Sequence, residues 1–399
     1  MPLGWIDFSK SERSKILSIL ETLSENATLD ELGIAPVRDG FANLFFPGTS
    51  TIQTRAKYFF IVPYAMRDLE CSDELQPGRM LKILTETEKQ CALGFLESNK
   101  NEEGVIGKRS LPLQWVKRAP SDIYWSGLRR YNIFMGGSIS LSEYIRNMCV
   151  QKGQKQDLRN LGNRNDHTED DDEDDDQAGD VRGLRFWNMP LYRKEWKKSL
   201  KMKLTKDEGD FLKKQILLTC PDSILGYILK DDMKEILDLS SFADLQDMIR
   251  KFPANIQEDY DLALRFSDFV YVLRIIYNIL VSGGDSRRAN DELDRLMPDL
   301  PEIAGIDTDR IFIRLGINNL KLHSFLNESG KLMIGKDIEK LKELIRKREK
   351  DLKGTARAKT CHPGQFDNKW YGGEGLDYRF GNARIIIRDI FDSEVTDRA

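Results

Sequence analysis

The chain has 399 residues, 40% hydrophobic and 32% charged, enough for two or three globular domains with cores of their own. No run of about 18 apolar residues occurs, which excludes a bilayer-spanning helix. The opening MPLGWIDFSKSERSK sets a tryptophan and an acid where a secretory signal needs a basic start and an apolar run. Cys71, Cys91, Cys149, Cys220 and Cys361 are odd in number and scattered, and read as reduced, packed thiols of a cytoplasmic protein. The net charge of −4 is unevenly spread, because Glu169–Asp176 is an unbroken run of eight acids and the remainder carries +4.

In chain order, Ser9 or Ser11 caps a helix whose Ile16, Leu17, Leu20 and Leu23 share one face. Thr28 and Glu31 have capping-box spacing, but Gly33 and Pro36 hold that element to about a turn. VRDGFANLFFPG reads as a short helix closed by Pro47 and Gly48. In GTSTIQTRAKYFFIVPYAMRDLE, Ser50 and Gln53 stand three apart, so a helix is expected from Ser50, with the serine oxygen accepting the Gln53 N–H while the glutamine reaches back. The greasy Phe59–Val62 keeps a strand reading open, and Pro63 should kink the helix or end it near Ile61. LKILTETEKQCALGFLESN is helical from about Leu84 or Thr85.

Turn signals at Gly104, Gly107 and Pro112 then precede a short helix at about Leu113–Lys117. Pro120 closes it, and Ser121 caps a second helix through Tyr131. Two short helices about a Pro-containing turn suit a helix-turn-helix at about 108–133. Ser140 with Glu143 opens another helix. Residues 151–180 offer little to bury and read as an acidic, disordered linker or insertion. Beyond it, LTKDEGDFLKKQILLTC, SILGYILKDD, SFADLQDMI, a long core helix at about Tyr260–Val281, KLHSFLN, KDIEKLKELIRKREKDL and ARIIIRDIFDSE are helical, whereas SGGDSRRANDEL is a loop and KTCHPGQFDNKWYGGEGLDY irregular. The fold class expected is mainly α, multi-helical, with a candidate helix-turn-helix or winged-helix module in the N-terminal half. The organisation expected is a helical domain over 1–150, a linker over 151–180, and over 181–399 a helical domain entered by a basic-aromatic segment.

Enzymatic chemistry is hard to assemble from these residues. Of three histidines, His167 lies in the acidic segment, His323 on a helix, and His362 in CHPG, where adjacent Cys361 and His362 rarely aim at one atom. No Cys-x-x-Cys, His-Glu-x-x-His or Walker A pattern appears, and GGEG at Gly372–Gly375 lacks the strand a nucleotide loop requires. Nothing calls for a cofactor. A divergent nuclease holding a metal ion between carboxylates is the enzymatic alternative, and a protein-only scaffold the third.

Nucleic acid, most directly DNA of unspecified form, fits better as a partner on three features. Residues 182–206 hold nine Lys or Arg against Glu195 alone, with Phe186, Trp187, Tyr192 and Trp196 among them. Here Arg185, Arg193, Lys194, Lys197 and Lys198 would neutralise phosphates and Trp187 would stack on bases. The plain alternative puts the tryptophans in the core and the lysines in solvent. Second, Lys108, Arg109, Lys117, Arg118, Arg129 and Arg130 flank or sit on the candidate helix-turn-helix, whose Ser121 cap leaves N–H groups for a phosphate. A structural hairpin would carry the same charges. Third, Thr49, Ser50, Gln53, Arg55 and Lys57 crowd one helix start and suit phosphate or sugar contacts, although capping and solvation account for them equally well. The acidic run could mask the basic stretch after it, or be a solubilising insertion.

LGWIDFS at Leu3–Ser9, DELGI at Asp30–Ile34, RDGFANLFFPGTSTIQTRAKYFFIVPY at Arg38–Tyr64, PSDIYWSGLRRYNI at Pro120–Ile133 and LDYRFGNAR at Leu376–Arg384 together resemble an uncharacterised bacterial family, DUF6361. The blocks run from the first residues nearly to the last, and FPGTSTIQTRAKYFF is the specific one. The resemblance brings no established catalytic residues. Relatives resemble components of anti-phage or mobile-element clusters near helicases and phospholipase D-like nucleases. That implies a DNA-directed accessory or adaptor subunit working with such a partner in phage defence. The acidic run departs from the family pattern.

Overall fold

The stretch that looks most like a strand, Phe59–Val62, lies in the first turn of a helix and is buried throughout. The computed structural model describes residues 30–162, 186–190, 192–193, 195–365, 367 and 369–395. These residues are mainly α-helical and contain no β-strand, only an isolated bridge between Phe134 and Trp187. In chain order the helices are α1 (Ala35–Phe45), α2 (Tyr58–Cys71), α3 (Pro77–Ser98), α4 (Pro120–Arg130), α5 (Leu141–Gly162), α6 (Lys206–Thr219), α7 (Ile224–Lys230) and α8 (Ala254–Val281). There follow α9 (Arg287–Leu296), α10 (Leu300–Ile303), α11 (Thr308–Leu315), α12 (Leu320–Ile334), α13 (Ile338–Lys353) and α14 (Phe380–Val395).

Two compact units share the chain discontinuously. The first takes the segment up to Phe45 and Leu239–Phe380; the second takes Phe46–Asp238 and the chain from Gly381 on. Composition draws its boundaries instead at 150 and 180, on the acidic run, which lies outside the described residues.

In the first unit α8 is central, with α9 and α13 packed on it, α12 on α13, and α11 on both α1 and α12. Between Ile256 and Val281, α8 is buried on most of its circumference, as a core helix must be. Phe41 and Phe45 of α1 join Phe242, Phe266 and Tyr378 in one aromatic cluster, with ring centroids 4.9–6.3 Å apart. The second unit is built on α2, which packs against α3 and α4, while α5 packs on both of those. Tyr58 to Met66 are all buried, so α2 shows no amphipathic stripe in its sequence.

Several sequence expectations are corrected. The helix expected from Ser50 starts at Tyr58. Ser50 Oγ is buried without a hydrogen bond and does not cap Gln53, because side chains from elsewhere in the unit hold residues 49–57 in turns. Pro63 lies inside α2 without ending it. No helix forms at Leu113–Lys117: Gly104 and Gly107 take φ of +77° and +87°, and Leu113 is 96% exposed. Only Trp115 and Val116 turn inward, towards Gly107. The first member of the helix-turn-helix is therefore absent, and the described residues contain no winged-helix module. SGGDSRRANDEL is a loop only to Ser286, whose Oγ accepts from the Ala289 N–H and starts α9. The Ser140–Glu143 box is present, and the helix it opens runs on to Gly162, past the point where the linker was expected. The helix expected around Ile16–Leu23 lies outside the described residues.

Candidate nucleic-acid interface

The candidate interface lies wholly in the second unit, and its centre is a turn held by side chains. Gly48, with φ of +82°, starts a reversal in which Gln53 folds back: its Nε2 donates to Gly48 O (3.1 Å) and its Oε1 accepts from Ser50 N–H (3.2 Å). Thr49 Oγ1 donates to Phe46 O (2.6 Å). The Tyr124 hydroxyl of α4 accepts from the N–H groups of Thr54 (2.9 Å) and Arg55 (3.0 Å) and donates to Arg55 O (2.8 Å). Tyr131 donates to Pro47 O (2.9 Å). From α14, Asn382 Nδ2 donates to Gln53 O (2.8 Å). Close approach needs a bare backbone at Gly127, where an added Cβ would sit 2.5 Å from Gly48 O and 2.8 Å from the Phe59 ring.

The charges of this turn are neutralised internally. Arg55 forks onto Asp389 (Nε and Nη2, 2.9–3.0 Å) and reaches Glu102 (3.3 Å), while Asp389 also accepts from the Ala56 N–H (2.8 Å). Burial raises the Asp389 carboxyl, against the downward pull of Arg55 and that N–H. Lys57 Nζ lies 2.6 and 2.7 Å from the two oxygens of Glu208, both side chains being buried. Thr49, Gln53 and Lys57 are buried, and Ser50 and Arg55 are half-buried. Every one of the five except Ser50 spends its polar atoms inside the unit.

The N-terminus of α4 is likewise taken. Pro120, not Ser121, opens the helix. The Ser121 N–H donates to Glu88 Oε1 (2.6 Å), and Asp122 accepts from the Ala119 N–H (3.3 Å). No N–H is left free there by a serine cap, because carboxyl oxygens of Glu88 and Asp122 already accept at that helix start. Glu88 is 1% exposed with its Oε2 unpartnered, and burial pushes its carboxyl up to about 8.

The basic-aromatic segment splits in two. Its tryptophans are core, with Phe186 and Tyr192 half-buried: Trp187, 8% exposed, packs on Trp125 and Phe134 and donates to the Tyr144 hydroxyl (2.8 Å). Trp196, 9% exposed, donates to Asp68 (3.2 Å), which also accepts from the Tyr192 hydroxyl and pairs with Lys197 (2.7 Å). Trp187 is thus placed where it cannot stack on a base. Lys198 pairs with Glu195, and Arg193 is exposed; Arg185 and Lys194 lie outside the described residues.

Other cations stay at the surface. Arg109, Lys117, Arg118 and Arg130 are exposed and Arg129 half-exposed, and none forms an ion pair among the described residues. Ile123, Tyr124, Gly127 and Leu128 line the inner face of α4, while Asp122, Ser126 and Arg130 fall four apart on its outer face. The structure therefore brings the opening turn and the inner face of α4 together as scaffold, and leaves Arg109, Arg118, Arg129 and Arg130 around it in solvent.

The model of a family of unknown function, DUF6361, matches residues 1–151. No curated protein and no solved structure matches the chain. The DUF6361 match spans the Arg38–Tyr64 and Pro120–Ile133 blocks that interlock through Gly48, Gln53, Tyr124, Gly127 and Tyr131. The LDYRFGNAR block lies beyond it, so the match is narrower than the whole-chain resemblance. Among the described residues no three His, Cys, Asp or Glu side chains could hold a metal ion together, and no helix is long and apolar enough to cross a membrane.

Proposed function

We propose that the protein is a DNA-binding accessory subunit that holds the phosphate backbone, and that it reads no bases through Trp187. The observation that carries this reading is the set of cations about α4 that form no ion pair among the described residues: exposed Arg109, Lys117, Arg118 and Arg130, and half-exposed Arg129. Arginines left unneutralised beside neutralised ones are available to displace counterions from a polyanion. Helix α4 has 11 residues and is about 16 Å long, with Arg129 and Arg130 in its last turn and Arg118 just before its start, a length over which duplex DNA presents several phosphates. A helicase or nuclease partner in phage defence is the setting that the family resemblance implies for such a subunit.

A protein-only scaffold is the second reading, favoured by the burial of Trp187 and Trp196. A carboxylate-metal nuclease has no cluster among the described residues to rest on. Anisotropy titration of labelled duplex and single-stranded DNA at two salt concentrations separates the readings, with a magnesium-supplemented control for cleavage. The DNA reading expects binding that weakens with salt and a slope of log K on log salt that flattens by about 3 to 4 in an Arg109→Gln, Arg118→Gln, Arg129→Gln, Arg130→Gln variant. Wild-type protein with no salt-dependent binding leaves the scaffold.

A further inference from the structure

We propose that the C-terminal end of α13 is a second nucleic-acid contact, a cationic corner of Arg346, Lys347, Lys350 and Arg357 that holds a phosphate backbone. It rests on the reading of the protein as DNA-binding, but on no residue of the α4 surface.

Charge along α13 is segregated. In its first half the cations are neutralised: Lys340 pairs with Asp337 (2.7 Å) and Lys342 with Glu339 (2.8 Å). In its second half, Leu341, Ile345 and Glu349 set the buried face, and Arg346, Lys347 and Lys350 stand exposed with no ion pair among the described residues. Neighbouring cations are drawn inward and do not belong to the corner. Arg348 donates to Leu32 O (3.0 Å) and lies over the Phe325 ring, and Lys353 pairs with Glu349 (3.2 Å) and Glu31 (3.8 Å). Glu343 and Asp351 are the exposed acids on the same stretch, and neither is paired to the corner.

The helix dipole favours cations in a last turn, which accounts for Lys350 but not for the chain that follows. Past Gly354 (φ +74°) the backbone doubles back and is pinned by fully buried Glu349. That carboxylate accepts from Tyr277 Oη (2.7 Å), Thr360 N–H (3.0 Å) and Lys359 N–H (3.2 Å). Arg357 is thereby returned to the helix end, where its Nε donates to Lys353 O (3.0 Å) and its side chain stays exposed. Lys359, held 3.6 Å from the Tyr371 ring centroid, is occupied. The result is a small cluster of exposed cations, chemistry suited to phosphates and not to base edges.

The test uses the full chain with Arg346→Gln, Lys347→Gln, Lys350→Gln and Arg357→Gln, titrated with a labelled mixed-sequence duplex at about 50 and 200 mM salt, the range over which phosphate contacts register. Four contacts contribute about −3.6 to the slope of log K on log salt. The variant should therefore flatten the slope by about 3 to 4 and bind about tenfold or more weakly at the lower salt. An unchanged slope in a variant that melts like the wild type overturns the proposal. So does tighter binding of wild type to polyglutamate than to DNA, which would assign the corner to an acidic protein. Loss confined to the α4 variant overturns the corner and keeps the α4 surface; loss confined to the corner variant does the reverse; no wild-type binding overturns both.

Discussion

Replacing Lys57 by Met separates a core ion pair from a DNA contact, because the two roles predict opposite results. Lys57 Nζ sits 2.6 and 2.7 Å from the Glu208 carboxylate oxygens, and the side chains are only 10% and 7% exposed. Without the ammonium, the Glu208 carboxylate keeps the Thr205 N–H at 2.8 Å. Breaking a buried pair on one side costs about 3–5 kcal/mol, since the remaining charge stays desolvated. At about 2–4 °C per kcal/mol for a domain of 150–250 residues, the melting transition of the second unit should fall by on the order of 10 °C. Lys57→Met with Glu208→Leu removes both charges and should recover most of that loss, short of about 1 kcal/mol for the capping box at Thr205. Calorimetry and urea unfolding of wild type, both single variants and the double variant close the cycle. A Lys57→Met protein that melts within about 2 °C of wild type, or single losses that simply add in the double variant, would refute the buried pair. Weakened DNA binding at unchanged stability would return Lys57 to the interface.

Two further outcomes follow from the same unit. Burial raises the Glu88 carboxyl from the ordinary 4.5 to about 8, so the folded chain holds a proton there that the unfolded chain releases at lower pH. The associated stability is fully present below about 4.5 and is lost as pH rises through about 8, at roughly 1.4 kcal/mol per pH unit across that window. Glu88→Gln should remove this slope in melting curves recorded between pH 5 and 9; a slope equal to that of wild type would show that Glu88 is not the group responsible. Gly127→Ala would put a methyl 2.5 Å from Gly48 O and should destabilise by about 1–3 kcal/mol through forced backbone movement. Ser126→Ala, one residue away on the exposed face, should stay within about 0.5 kcal/mol, and equal effects at the two sites would dismiss the close approach.

Helix periodicity alone is enough to find α13 and α14, because each buries residues at helical spacing over several turns, whereas α8, buried on most sides, is legible by its unbroken apolar length. Local chemistry misleads where distant segments decide the conformation. Ser50 and Gln53 have the spacing of a helix cap, yet Tyr124, Asn382 and Asp389, far along the chain, hold that segment in turns, and no local pattern carries such information. Ser121 has the residue type of an N-cap, but the buried Glu88 carboxyl claims its N–H. Leu113–Lys117 lacks an apolar stripe to bury, and the turn signals that bracket it, Pro112 and Pro120, do not make a helix. Ser286, by contrast, is a recoverable signal: a serine three residues before an alanine N–H, at the start of RRANDEL, marks α9 once the preceding glycines are taken as the end of the loop.

The basic residues obey the same distinction, and it sorts the candidate site. Arg55 and Lys57 stand in the most family-like block, where Tyr124, Gly127 and Tyr131 interlock with it, and both meet carboxylates from other segments. Arg109, Arg118 and Arg130 form no ion pair among the described residues, and neither do Arg346, Lys347 and Lys350 in the other unit. A cation kept at the surface beside acids that could have been paired with it adds nothing to the core, and a surface pair would have been worth about 0–1 kcal/mol at most. Unpaired clusters therefore cost the fold almost nothing to retain, and their charge is spent only when a polyanion arrives. Distinguishing the two classes requires knowing which carboxylate each arginine faces, a long-range property of the fold that residue counts along the chain do not contain.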